Sequence, residues 1–259
     1  MLSKLVGYEM KAFGRILLPI YGAIVVTALL LGINMHFISF SENAGAIALS
    51  IVLAILVAAV FIVTILLSVI RFYNNLLGRE GYLMFSLPVG TGDLIWAKVI
   101  SSVIWCILSW IIAVLSVLPF LAAPEVADAV KEYGIGKIWA EVTGSLSPYR
   151  WNLILGIVLI IALAVFFIVR LYAAISIGHL WTEHRILGAV LAYIGIGVLE
   201  AFLAMPVGTY ISLYWSGTGA VGITNALQGE GILLLIAAAG TAVYGVVTWL
   251  ILDRKLNLE

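Results

Sequence analysis

Apolar residues run through this chain in long blocks separated by short polar breaks. A membrane-crossing helix needs about 20 mostly apolar residues, and six blocks meet that length, near 16–38, 46–70, 94–121, 151–177, 186–206 and 231–252. Ahead of the first, Leu2, Leu5, Val6, Met10, Phe13 and Leu17 recur at helical spacing, with Lys4, Tyr8, Lys11 and Arg15 on the opposite face. That pattern predicts an amphipathic, basic-faced N-terminal helix in the membrane interface. The first block exceeds the ~7–15 residues of a signal-peptide core, and Glu42 and Asn43 crowd the nearest small-residue site, so it reads as a retained span.

Composition identifies the solvent. The 259 residues are 64% hydrophobic, with 13 basic and 13 acidic side chains, and their mean hydropathy is +1.21. Soluble domains run at about 45–50% apolar and about 25% charged. This chain lacks the polar surface to cover its own core, and an all-α membrane protein forming one six-span domain over residues 1–259 is predicted. Zero net charge gives no global field toward nucleic acid. A lone cysteine, Cys106, excludes an intrachain disulfide and reads as a small buried hydrophobe.

Charge location sets the expected orientation. An even number of spans puts both termini on one side. With the termini inside, Lys4, Lys11, Arg15, Arg71, Arg79, Lys98, Arg170, Arg185, Arg254 and Lys255 fall on inner segments, against Lys131, Lys137 and Arg150 outside. Basic flanks are retained on the cytoplasmic face, so both termini are assigned there. Trp139, Tyr149, Trp151 and Trp249 fall near the expected interfaces.

The inner segment after the second span is too apolar for a solvated loop. Tyr82, Leu83, Met84, Phe85 and Leu87 would form an exposed patch between Gly81 and Pro88, which needs either a docking partner or burial by its own fold. Thr91 is the expected N-cap of the next helix, with Asp93 in its first turn. A compact elbow leading into the third span is predicted.

The run Phe72-Tyr73-x-Asn75-Leu76, followed by Glu80-Gly81-Tyr82-Leu83-x-Phe85-x-Leu87-Pro88-Val89, resembles the small permease subunits of bacterial ABC type-2 exporters, especially those of Gram-positive organisms. The close match covers about 30 residues, while the six spans, inner termini and interfacial helix follow the family's plan over nearly the whole chain. The resemblance implies a plasma-membrane transport subunit and not an enzyme, exporting a peptide, drug or lipid-like substrate by alternating access. It implies two kinds of partner, a cytoplasmic cassette ATPase and a second permease chain of the same or a related kind. Glu80, Gly81, Tyr82, Leu83, Phe85, Leu87 and Pro88 then become the residues that couple to the ATPase. No G-x-x-x-x-G-K-[ST] phosphate cradle is present, so ATP and Mg are expected on the partner and no cofactor on this chain. Gly217-Thr218-Gly219-Ala220-Val221-Gly222 spells a dinucleotide fingerprint but follows no strand, and its glycines suit turns.

Met205-Pro206-Val207-Gly208 interrupts an apolar run that resumes at Tyr210, which suggests a re-entrant outer hairpin or a kinked span with a glycine-rich loop. Similar short helices close the outer gate in the resembling family. Glu200 is the one acidic residue well within an expected span and is, with Pro206, the translocation or gate candidate. Measured from Ile186 it lies about 21 Å along its helix, whereas Arg170 counts out near the inner face, so the two are not expected to pair. His179 and His184 flank the second inner loop without the spacing of a metal site. Residues 124–150 are expected to hold an outer interfacial helix. The alternative function is an ion-coupled secondary transporter or channel using Glu200, although matched interruptions in two halves are missing.

Overall fold

Lipid offers no partners to backbone N–H and C=O groups, so a chain this apolar must satisfy them within helices. The computed structural model describes residues 2–37, 44–78, 81–86, 88–122, 124–181, 183–216 and 223–254. They form α1 (Leu2–Phe37), α2 (Ala44–Phe72), α3 (Gly81–Phe85), α4 (Thr91–Leu115), α5 (Pro124–Tyr133), α6 (Ile135–Leu146), α7 (Arg150–Gly178), α8 (Arg185–Ser216) and α9 (Ile223–Arg254). Among the described residues, six segments are long and apolar enough to cross a membrane: Leu2–Met35, Ala44–Leu77, Thr91–Leu121, Ile135–Gly178, Arg185–Pro206 and Leu227–Arg254. The chain is an almost entirely helical, multi-pass membrane protein.

Three local expectations meet a different backbone. A single helix, α1, covers both the basic-faced stretch and the first span. Its 36 residues extend about 54 Å, well beyond the ~30 Å hydrocarbon layer, so part of it stands outside that layer. At the other interruption, α8 runs through Pro206 to Ser216 instead of breaking there. Proline removes only the N–H that would reach the Phe202 carbonyl and leaves helical φ available, so the rest of the ladder carries the helix past it. Residues 217–222, with the glycine fingerprint, lie outside the described residues. Lastly, the segment expected to hold one outer interfacial helix folds as two helices, α5 and α6, separated by Gly134 at φ 76°, a value glycine adopts without strain.

Backbone contacts gather into two compact units, Val6–Leu67 with Ile104–Ser147, and Met1–Leu5 with Ser68–Val103 and Pro148–Glu259. In the first unit, Phe13, Leu17, Tyr21, Ile24, Ala28, Leu31 and Met35 recur every three or four residues along α1 and form its buried seam. On α2, Ala46, Leu53 and Val60 repeat at seven. Trp105 stacks on Phe13 at 6.4 Å and tilts against Tyr21 at 5.9 Å. A polar thread ties three helices: Tyr21 Oη lies 2.9 Å from Ser109 Oγ, which lies 3.1 Å from Thr64 Oγ1. Leu29, Leu30 and Ile33 on α1, and Ile55 and Ile62 on α2, are exposed, as lipid-facing residues are.

In the second unit, α7 packs against both α8 and α9. Tyr172 of α7 stacks flat on Phe72 at 4.0 Å, and its hydroxyl lies 3.0 Å from Ser102 Oγ. At the start of α4, Gly90 caps the helix through its carbonyl, which accepts from Asp93 N and Leu94 N. The Thr91 hydroxyl, the expected cap, donates instead to Asp253 Oδ1 at 3.2 Å. At the α7–α8 turn the backbones come so close that a Cβ on Gly178 would collide with the backbone of Ala189. Replacing Gly178 with valine should therefore cost about 1–3 kcal/mol. Thermal unfolding of the purified protein in detergent checks this, and an unchanged midpoint would mean that the two helices do not need that approach.

Candidate functional site

The elbow starts with an irregular turn. Tyr73–Leu77 forms a π-helical turn at the end of α2, closed by Gly78 N donating to Tyr73 O at 2.8 Å. A Cβ on Gly78 would sit 2.8 Å from the Asn74 carbonyl oxygen, which explains a glycine here. Gly81 is buried and donates its N–H to Gly78 O at 2.9 Å. The five-residue helix α3 follows, with Tyr82 73% exposed and Leu83 67% exposed. Met84 and Phe85 are half-buried, and Pro88 is exposed. Glu80 and Leu87 lie outside the described residues. Of the two fates open to the apolar elbow, self-burial therefore takes Gly81 completely and Phe85 partly, and leaves Tyr82 and Leu83 without cover.

The same end of this unit carries the turn between α7 and α8. His179 closes α7 by donating its N–H to Ile175 O, and the Tyr73 ring meets its imidazole edge-on at 6.3 Å. Burial, and then the charge of Arg185, holds the His179 proton affinity below its usual 6.5. Among the described residues, no three His, Cys, Asp or Glu side chains gather as a metal site would require.

Deeper in the unit, Arg170 and Glu200 are paired, contrary to the depth expected from counting along each helix. Arg170 Nε lies 3.1 Å from Glu200 Oε2, off the direction of its own N–H. The count failed because it took the two helices from separate starting points. Gly178 lies against Ala189, so α8 begins about 6 Å before that level, and the remaining offset of about 4–5 Å is within reach of an arginine side chain. Helical side chains lean toward the helix N-terminus, which on α7 is toward Glu200.

The face of α8 is built for this arginine. Tyr193, Gly197 and Glu200 recur at i, i+4 and i+7, one stripe of the helix. The Arg170 guanidinium lies 4.4 Å from the Tyr193 ring centre, and a Cβ on Gly197 would come within 2.8 Å of Arg170 Nη2. From α9, the Tyr244 hydroxyl donates to Glu200 Oε1 at 2.6 Å, a short charge-assisted bond. Phe166 backs Tyr244 at 5.8 Å and lies against Gly240, where a Cβ would strike its ring. The carboxylate thus joins three helices, with Arg170 15% and Glu200 25% exposed. Pro206 lies one and a half turns further along α8 in an exposed stretch and takes no part in the cluster. Sequence reasoning selected Glu200 and missed Arg170, Tyr193 and Tyr244, although the Tyr193/Gly197/Glu200 stripe was there to be read.

In comparisons with known proteins, no family model matches the chain, and neither a curated protein nor a solved structure matches it. A functional reading accordingly rests on the residues themselves.

Two outcomes follow. Arg170→Met alone leaves a partly buried carboxylate without its cation and should cost about 1–3 kcal/mol, whereas Arg170→Met with Glu200→Leu should recover most of that loss. Thermal unfolding in detergent distinguishes them; equal losses would mean that the two charges are not coupled. Because folding lowers the proton affinity of His179, the unfolded chain binds the extra proton below 6.5. Stability from this group is complete well above that value and declines as pH falls through it, so unfolding temperature should drop on acidification below 6.5, less steeply in His179→Gln.

Proposed function

We propose that the chain is the membrane-spanning permease subunit of an ATP-driven ABC exporter. The observation that carries this reading is the short helix α3 between the second and third spans, with Tyr82 and Leu83 uncovered at the same end of its unit as the α7–α8 turn. Two adjacent large apolar side chains on a five-residue helix have no intramolecular use when exposed, and they suit a partner groove. Their place in the run that resembles type-2 exporter permeases makes the partner a cytoplasmic cassette ATPase. ATP and Mg reside on that ATPase, and a second permease chain completes the transport path.

In this reading the termini and α3 lie on the cytoplasmic side of a bacterial plasma membrane, in accord with the distribution of basic residues. The basic-faced first turns of α1, carrying Lys4 and Lys11, rest among headgroups as an interfacial segment. The continuous helix after Pro206 stands at the outer gate. ATP-driven closure of the ATPases pushes α3, the spans re-pack, and a peptide, drug or lipid-like substrate leaves outward. The alternative, an ion-coupled transporter using Glu200, calls for a carboxylate free to take and release an ion. Engagement of Oε1 by Tyr244 and of Oε2 by Arg170 weighs against it.

The test is purification through a C-terminal tag from native membranes, with mass spectrometry of whatever accompanies the chain. A stoichiometric cassette ATPase is expected, and Tyr82→Asp or Leu83→Asp should release it while the protein remains inserted and folded. Retention by both variants would remove α3 as the docking element, and absence of any ATPase under conditions that preserve a known ABC complex would overturn the exporter reading.

A further inference from the structure

A groove of about 420 Å³ opens between α2, α7 and α8. Leu171, Ala174, Ile175 and Ala189 line it from α7 and α8, and Ile70 closes it from α2. Ile186 and Val190, also in its lining, are largely exposed. From Arg185 at the first residue of its span to Tyr193, both in the lining, the groove follows α8 for about 12 Å. A second recess adjoins it at the loop end, sharing Tyr73, Arg185, Ile186 and Val190 and adding Glu183 and His184. The cavity is thus apolar along its length and cationic at its mouth.

Arg185 is half-buried and, among the described residues, has no ion-pair partner. Glu183 belongs to the outer recess only and does not line the groove. A half-buried guanidinium presents a planar fork of donors that matches a phosphate. Its position at the start of a span is headgroup depth, with the apolar channel leading inward from it. An apolar occupant alone, such as a neighbouring helix, would leave this cation desolvated and unpaired.

We propose that the groove binds one anionic phospholipid, its phosphate at Arg185 and one acyl chain lying along Ile186, Val190 and Leu171 toward Tyr193. The site differs from general attraction to a charged surface in coupling one arginine to one apolar channel. It is independent of which substrate the protein moves.

Native mass spectrometry of the full chain in detergent, titrated with phosphatidylglycerol or phosphatidylcholine, tests it. Phosphatidylglycerol should bind at one site preferentially. Arg185→Gln should weaken it about five-fold, and should weaken phosphatidylcholine, whose phosphate is already offset by its own choline cation, by less. Val190→Trp, which fills the channel, should weaken both lipids, and Arg254→Gln, a basic residue outside the groove, should alter neither. Undiminished phosphatidylglycerol binding by Arg185→Gln, or an equal loss in Arg254→Gln, would overturn the site in favour of diffuse electrostatics. Full binding by Val190→Trp would overturn it in favour of a phosphate site without an acyl channel, and that variant alone decides the matter should Arg185→Gln fail to fold.

Discussion

The close approach of α7 and α8 at Gly178 and Ala189 sets the register of the two helices from their turn onward. Between helices in lipid there is no hydrophobic drive, since the tails are as apolar as leucine, and association rests on close backbone packing and a few polar contacts. Once Gly178 is level with Ala189, Arg170 falls beside Gly197, and its side chain reaches Glu200. Tyr244 then finds the other carboxylate oxygen. One contact between small residues therefore decides whether a partly buried charge meets its partner.

In the first unit, neutral hydroxyl groups also tie helices together. Tyr21, Ser109 and Thr64 share hydroxyl contacts across three helices, and Thr64 also donates to Val60 O at 2.7 Å. Each interhelical bond of this kind is worth roughly 0.6–2 kcal/mol in a membrane. Phe13, Trp105 and Tyr21 supply shape around that thread. Several weak hydroxyl contacts tolerate losses that one partly buried ion pair does not.

The number, approximate place and helical character of the spans were legible because about 20 apolar residues in a row leave few other options in water or lipid. Of the seam of α1 only Phe13 and Leu17 were legible, in an apolar stripe expected to face the membrane interface and found packed against neighbouring helices. What hid the cluster was the third dimension. Depth counted from an assumed span boundary carries an error of several residues at 1.5 Å each, enough to separate Arg170 from Glu200 on paper. Thr91 illustrates a second limit: its residue type suits a cap, but the Asp253 carboxylate, 162 positions away, claims the hydroxyl. Pro206 illustrates a third, since the loss of one hydrogen bond can break a helix or merely be absorbed by it.

The π-helical turn at Tyr73–Leu77 amounts to one residue more than an α-helix would use to cover the same distance. Each residue of a helix advances the chain by about 100° around its axis. The direction in which the elbow leaves α2 is thus set by chain length rather than by the chemistry of its side chains. A one-residue deletion within that turn would swing the departing chain by about a quarter of a circle while leaving the apolar faces of both flanking spans intact. Insertion and deletion can in this way re-aim the elbow on a scaffold whose apolar span surfaces need not change at all.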